Sequence, residues 1–116
     1  MHFGQSSWRP FISVDDISRV LVKVLKSENS IVRNQIFNVG GNQENYRIMD
    51  IVNTIKKHIP INFEFSKKIE DKRNYRVSFK KIKNILKFKP KDNLKKKILI
   101  LIKKYKKMKI NEKDIN

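Results

Sequence analysis

The sequence predicts an α/β fold, and three observations lead to this prediction. Helix-period stretches alternate with short apolar segments in the order β-α-β-α-β-α-α. The helical stretches are amphipathic, whereas the strand around Phe37 is apolar at nearly every position, which is typical of a strand covered on both faces. The other segments supply too little cover for such a strand. We therefore expect these 116 residues to be part of a larger sheet protein.

The first predicted strand leads directly into the first predicted helix. Residues 11–14 form a short buried strand or extended segment, and Asp15 or Asp16 caps the helix that follows. Its apolar residues recur three and four positions apart as far as residue 26. Because arginine presents a fixed fork of donors, Arg9 at the entry to this strand–helix junction is a candidate phosphate ligand.

The second unit is predicted by the apolar residues 35–39. Gly40 and Gly41, which tolerate positive φ, end this strand, and we favour a turn here over a phosphate cradle. A second amphipathic helix covers about residues 47–58 and is stopped by Pro60.

The rest of the chain is predicted to be mostly helical. Alternating residues 61–65 indicate a half-buried strand, and a charged loop follows over 66–76. Ser78 is the predicted cap of a short third helix, and a last helix covers about 93–108. We assign residues 1–108 to one binding portion and 109–116 to a disordered tail.

Composition excludes several classes of function. The chain has no cysteine and only two distant histidines, which argues against thiolate or histidine metal sites. No apolar run approaches the roughly 18–20 residues of a membrane span, and no secretory signal is visible at the N-terminus. We therefore expect a cytoplasmic protein.

The net charge of +17 lies almost entirely in the second half of the chain, where it suggests nucleic acid or anionic lipid as a partner. However, 22 of the 28 basic residues are lysines, and their clusters at 80–83, 95–97 and 103–107 follow the helix period. Nucleic-acid readers usually interleave aromatics or arginines with such charge. We favour a solvated lysine face over a nucleic-acid surface, and packing over base stacking for Trp8.

Several segments together resemble one family, in the same order and with similar gaps. They are RPFISVDDI (9–17), FNVGG (37–41), IMDI (48–51), DKRNYRVS (71–78) and ILKFKP (85–90). This arrangement is similar to the C-terminal part of NAD-dependent nucleotide-sugar epimerases and dehydratases, within the extended short-chain dehydrogenase/reductase family. Two departures are Ser13, where the family often has histidine, and Arg47, where it often has a serine or threonine cap.

The resemblance implies the substrate-binding portion of an extended Rossmann-type fold, with a nucleotide-diphosphate sugar as ligand. It assigns Arg9 and Arg73 to the nucleotide or its phosphates, places Asp71 and Tyr75 beside Arg73, and brings Asn38 near the nucleotide. Each assignment has a simpler alternative. Arg9 can form a surface or structural ion pair, for example with Asp15 or Asp16, Arg73 can be a solvated loop charge, and Asn38 can be a turn residue.

The family's N-terminal Rossmann half has no counterpart in this sequence. With three glycines, the chain lacks the glycine-rich turn that binds the dinucleotide. The family's tyrosine–lysine pair, spaced Y-x-x-x-K, matches only Tyr105 and Lys109, and Tyr105 also fits the apolar stripe of the last helix. We therefore predict no catalytic residue and no cofactor site in this chain, although NAD is implied for the complete enzyme.

Three functional hypotheses follow. The leading one is a partial epimerase or dehydratase that binds nucleotide-sugar, requires a missing N-terminal Rossmann half and is inactive alone. The alternative is a small basic protein that binds nucleic acid or an anionic surface. The third is a degenerate remnant without function, whose unpartnered strand would favour aggregation.

Overall fold

The fold is known from a computed structural model that describes residues 7–63 and 73–108. In chain order the elements are β1 (Trp8–Pro10), α1 (Val14–Leu25), α2 (Asn29–Val32), a 3-10 turn (Asn42–Glu44), β2 (Asn45–Arg47), α3 (Ile48–Lys56), α4 (Lys80–Ile85) and α5 (Leu94–Met108). The described chain is thus a small domain of mixed helix and strand, which agrees with the α/β class at a coarse level. None of these helices is long and apolar enough to cross a bilayer.

The four main helices lie close to their predicted positions, but two of the predicted caps are wrong. Ser13, rather than an aspartate, caps α1, because its hydroxyl accepts a hydrogen bond from the Asp16 N–H at 3.1 Å. The residue before α4 is Phe79, not Ser78, and it makes no side-chain cap bond. At α5, the amide oxygen of Asn93 accepts the Lys96 N–H at 2.9 Å.

The strand predictions are mostly wrong. The first strand is β1, which lies before residues 11–14, and it pairs antiparallel with β2, which overlaps the predicted helix 47–58 only at Arg47. Residues 35–39 form no strand, and Ile36 is 85% exposed while Phe37 and Val39 pack against the core. Strand geometry requires a hydrogen-bonded neighbour, and the described chain provides none for this segment.

Three predictions fall partly or wholly outside the described residues. Residues 61–63 form no strand, and the remainder of that predicted strand lies outside the described ranges, as does much of the charged loop. The predicted disordered tail, 109–116, also lies outside them.

Gly40 is required for close packing rather than for a special backbone angle. Although glycine tolerates positive φ, neither Gly40 nor Gly41 adopts it. A Cβ atom on Gly40 would lie 2.6 Å from Cε1 of the Phe79 ring, far inside van der Waals contact. The glycine therefore lets the chain pass directly over the ring of a buried phenylalanine.

The core lies between α1 and α4. Its fully buried members are Val20, Phe79, Ile82, Leu86 and Phe88. Partly buried residues from neighbouring segments, including residues 37, 39 and 77, pack around this cluster. Among the described residues this core is small, and many large apolar side chains stay exposed.

Asp16 ties α1 to the chain that precedes α5. Its side chain is 1% exposed, and its carboxylate accepts the N–H groups of Lys91 at 3.0 Å and Asp92 at 3.2 Å and forms an ion pair with Arg19. Burial alone would raise the pKa of Asp16. The two backbone N–H groups, the Ser13 hydroxyl and Arg19 outweigh this effect and hold the pKa below its ordinary value.

Candidate functional site

The candidate site is built on the edge of the two-stranded sheet. Residues of β1 pair with β2 in the register Trp8–Arg47, Arg9–Tyr46 and Pro10–Asn45. The N–H of Phe11 and the C=O of Ser7 are also bonded on the β2 side. Since backbone groups alternate in direction along a strand, the N–H and C=O of Trp8 face away from β2.

The segment 73–77 fills this open edge of β1. The Trp8 N–H donates to the Asn74 amide oxygen at 3.0 Å, and the Tyr75 N–H donates to the Trp8 carbonyl at 3.4 Å. The chain from 73 onward thus lies along β1 like a short irregular third strand. This contact brings together residues that are more than sixty positions apart in the sequence.

Asn45 fixes the far end of the same segment. Its side chain is 8% exposed, accepts the Val77 N–H at 2.9 Å and donates to the Val77 carbonyl at 3.1 Å. The Asn45 amide therefore satisfies both backbone hydrogen-bonding groups of Val77, as a neighbouring strand would in a sheet. The next residues are held in the same way, because the Asn42 amide oxygen accepts the Phe79 N–H at 2.8 Å.

Three of the five predicted site residues meet at this edge. Nη1 of Arg9 donates to the Trp8 carbonyl at 2.8 Å and also to the Arg73 carbonyl. The Arg9 guanidinium lies over the Tyr75 ring, with its Cζ 5.4 Å from the ring centre. Arg9, Arg73 and Tyr75 are therefore neighbours, and the Arg73 and Tyr75 side chains are exposed.

The other two predicted residues do not join this group in the described structure. Asp71 lies outside the described residues. Asn38 is exposed, on the segment that packs against the core, and among the described residues no hydrogen bond links its side chain to the sheet edge. Of the two carboxylates offered as examples of an ion-pair partner for Arg9, Asp15 pairs with Lys97 and Asp16 pairs with Arg19.

Two further arginines, which the sequence did not single out, surround Trp8. Arg47 has its Cζ 5.1 Å from the centre of the Trp8 ring, and Arg76 has its Cζ 4.6 Å from the same point. Both side chains are exposed, whereas Trp8 is half-buried. Trp8 therefore packs, as expected, but its ring contacts cations. Trp8 lies opposite Arg47 in the β1–β2 pairing, and this cross-strand pair is what would have indicated the contact. The sequence does not show the pair, because the strand register is known only from the structure.

The arrangement offers anion binding rather than proton transfer. Four arginines, Arg9, Arg47, Arg73 and Arg76, lie on one two-stranded ribbon and its added segment. Guanidinium groups bind phosphate oxygens through paired, charge-assisted hydrogen bonds. Among the described residues there is no cluster of three or more side chains that could hold a metal ion.

The glycine pair does not fit a dinucleotide phosphate cradle. Such a cradle needs a glycine turn that opens an α-helix, whose N-terminal N–H groups face the phosphates. Here Gly41 leads into a single 3-10 turn, Asn42–Glu44, and the space above Gly40 is filled by the Phe79 ring. The glycine pair therefore serves packing against Phe79 and not phosphate binding.

Compared with known proteins, the chain matches no family model, no curated protein and no solved structure.

Proposed function

We propose that this chain is the nucleotide-sugar-binding portion of an NAD-dependent epimerase or dehydratase. Arg9 and Arg73 would bind the diphosphate. The observation that carries the proposal is the hydrogen bond from the Arg9 guanidinium to the Arg73 carbonyl, which holds two arginines 64 residues apart at one sheet edge. This bond places the Arg73 backbone beside Arg9; in the proposed complex, the Arg73 side chain turns toward the Arg9 guanidinium so that both bind one diphosphate.

The chemistry of the edge supports a phosphate ligand. A diphosphate carries charge on two adjacent phosphoryl groups, and arginine binds such groups in a bidentate manner. Tyr75 supports the Arg9 guanidinium from one side, and this limits the orientations of the guanidinium. Arg47 and Arg76 add positive charge on the neighbouring part of the ribbon, which would attract an anionic ligand over a longer range.

The proposal assigns binding to this chain and the redox chemistry to a missing Rossmann half. Several large apolar side chains support a covering polypeptide, because Val14, Leu25 and Ile36 are 78%, 85% and 85% exposed. Ile36 belongs to the segment predicted as a doubly covered strand.

In the complete enzyme, NAD would transiently accept a hydride from the sugar. The purified chain alone is expected to show no turnover.

The decisive experiment is isothermal titration of the purified chain with UDP-glucose and with dTDP-glucose. We expect binding of at least one ligand, and a loss of about tenfold or more in affinity for Arg73→Ala, since a hydrogen bond to a charged group contributes about 1.5–3 kcal/mol. This variant retains the carbonyl that accepts the Arg9 hydrogen bond. Arg9→Gln should weaken binding to a similar extent.

The matched control is Arg33→Ala, which removes an exposed arginine at the end of α2. Its affinity should equal that of the unchanged chain. Absence of binding by either nucleotide-sugar at millimolar concentration would refute the proposal. Equal affinities in the Arg9, Arg73 and Arg33 variants would refute it as well.

One observation favours the alternative, a basic protein that binds nucleic acid. Arginines that contact an aromatic ring, as Arg47 and Arg76 contact Trp8, are common in surfaces that bind single strands. For this alternative, affinity for a single-stranded oligonucleotide should fall steeply with salt and be reduced by Trp8→Ala. The variant Arg73→Ala distinguishes the two proposals. If it weakens nucleotide-sugar binding but leaves oligonucleotide binding unchanged, the result supports the epimerase-type proposal.

A further inference from the structure

A second surface of the molecule, which shares no residue with the sheet edge, is a cleft of about 710 Å³ between α1, α2 and α4. Its apolar residues include Val22, Ile31 and Ile85, which are 50%, 40% and 42% exposed. Behind them lie the buried side chains of Leu86 and Phe88. Three half-exposed aliphatic side chains in one concave surface are typical of an interaction site.

The rim of this cleft is strongly basic. Its charged lining residues are Arg19, Lys23, Lys26, Lys87 and Lys89. Arg19 forms an ion pair with the buried Asp16, and the four lysines are exposed to solvent. No acidic residue is found among the described residues that line the cleft. A ligand here must therefore combine apolar contact surface with negative charge.

The shape of the cleft follows the helix α1. The lining residues on α1 are the pairs 18–19 and 22–23, which lie one turn apart on one face of the helix, and Lys26 at the C-cap and Ser27 continue the lining beyond it. From Ser18 to the end of α1 at Leu25, this face extends over about two turns, or about 10 Å at 1.5 Å per residue. An open trough of that length, with aliphatic side chains at its base, has the dimensions of a groove for a short helix.

We infer that this cleft binds an acidic amphipathic helix of a partner protein. The apolar stripe of that helix lies against Val22, Ile31 and Ile85, and its carboxylates face the lysines at the rim. A second copy of the chain does not fit, because a net charge of +17 opposes self-association through a basic surface. A nucleic acid does not fit either, since the aromatic residue in the lining, Phe88, is 3% exposed and offers no ring for stacking.

The test uses a defined probe, a fluorescein-labelled 15-residue peptide that repeats leucine at helical spacing and carries glutamate on its other face. Binding to the full chain is measured by fluorescence anisotropy at physiological salt. A scrambled peptide of the same composition keeps the charge but loses the apolar stripe. We expect the scrambled peptide to bind about tenfold or more weakly, because only the amphipathic form fills the cleft.

Two kinds of variant separate the apolar and the charged contributions. Val22→Asp should weaken the amphipathic peptide about tenfold or more, and the double variant Lys23→Glu/Lys26→Glu should do the same. The matched charge control is Lys95→Glu/Lys104→Glu on α5, which makes the same change in net charge outside the cleft. Circular dichroism melts of each variant verify folding, and these residues are all exposed.

Three results would overturn the inference. One is equal binding of the amphipathic and scrambled peptides, which would indicate general attraction between opposite charges. Another is an affinity that falls equally in the cleft variants and in the α5 control. The third is a single-stranded oligonucleotide whose binding is abolished by Val22→Asp, which would assign the cleft to nucleic acid instead. The effect of Arg73→Ala on UDP-glucose binding does not alter any of these peptide or oligonucleotide measurements. The proposed nucleotide-sugar site and the proposed helix-binding cleft can therefore be refuted independently.

Discussion

Asp16 shows how a single side chain can stabilise contacts between distant segments. The sequence suggested that it caps α1, but its carboxylate lies inside the molecule and accepts two N–H groups of the chain before α5. Ser13 takes the capping role. A carboxylate that is 1% exposed remains charged only because these donors and Arg19 replace the lost water.

Asp16→Asn is expected to destabilise the chain by about 2–4 kcal/mol, since an amide cannot accept the same set of charge-assisted hydrogen bonds. The folded-state pKa of Asp16 lies below the ordinary 3.8. Its stabilisation is therefore complete well above pH 3.8 and is lost as the pH falls through the folded-state value. Urea unfolding at pH 7 and at pH 3 measures both effects.

The comparison between the two pH values distinguishes this mechanism from general acid unfolding. The destabilisation by Asp16→Asn should be large at pH 7 and shrink at pH 3, because Asp16 in the unfolded chain, with its ordinary pKa of 3.8, is then mostly protonated. Asp92 also has a lowered pKa, owing first to its hydrogen bond with Lys97, so some acid sensitivity should persist in the variant. If Asp16→Asn lowers the unfolding free energy by the same amount at pH 7 and at pH 3, the stabilising role assigned to the charged Asp16 carboxylate is contradicted.

At the scale of elements, the helices were predictable and the strands were not. The apolar period within α1, α3 and α5 depends only on neighbours along the chain, so their positions could be read directly. β1 and β2 are three residues each, too short to show an alternating pattern. Their pairing, and the addition of segment 73–77, depend on hydrogen bonds between distant residues.

Asn45→Ala tests whether this side chain holds segment 73–77 in place. The change leaves the N–H and C=O of Val77 without their partner, and we expect a loss of about 2–4 kcal/mol in unfolding free energy. UDP-glucose affinity should fall too, although Arg9 and Arg73 are unchanged, because the segment no longer positions Arg73 beside β1.

The control for this element is Asn84→Ala, which removes an exposed asparagine of α4. It should change neither the unfolding free energy nor the affinity by a measurable amount. Chemical denaturation and titration calorimetry on the three proteins provide the comparison. Unaltered nucleotide-sugar affinity in a folded Asn45→Ala protein would show that the segment is positioned by other contacts.

At the scale of the whole molecule, the described chain buries a small core and leaves much apolar surface in contact with solvent. Val14, Leu21 and Leu25 lie on one stripe of α1 and are all at least 60% exposed, and Ile36 is equally accessible. A monomer rarely exposes so many large aliphatic side chains to this extent. Net charge opposes association through this surface, so the two effects compete.

We therefore expect self-association of the isolated chain to increase with salt. Ions screen the +17 charge, with a Debye length of about 10 Å at 0.1 M that falls to about 3 Å at 1 M, while apolar contacts persist. Sedimentation velocity from 0.05 to 1 M NaCl measures the effect. Leu25→Glu/Ile36→Glu should keep the chain monomeric across this range.

The control for surface specificity is Leu101→Glu, which changes an exposed leucine of α5 and should leave the salt-dependent association in place. A chain that stays monomeric at 1 M NaCl would show that its exposed aliphatic residues are too dispersed for association. It would also weaken the argument for a covering Rossmann half.

The sequence by itself determined the helices and the basic second half and made Arg9 a candidate ligand, because helix periodicity and residue chemistry are local properties. Arg73 and Tyr75 became candidates through the family resemblance of the segment 71–78. Only the tertiary structure decided that these three residues meet, that Arg47 and Arg76 surround Trp8, and that Asn38 lies on the segment packed against the core. The physical reason is that strand pairing joins backbone groups across long sequence separations. The hydrogen bonds of strand pairing, and those that Asn45 makes with Val77, do not produce a repeating pattern of residue types in the sequence.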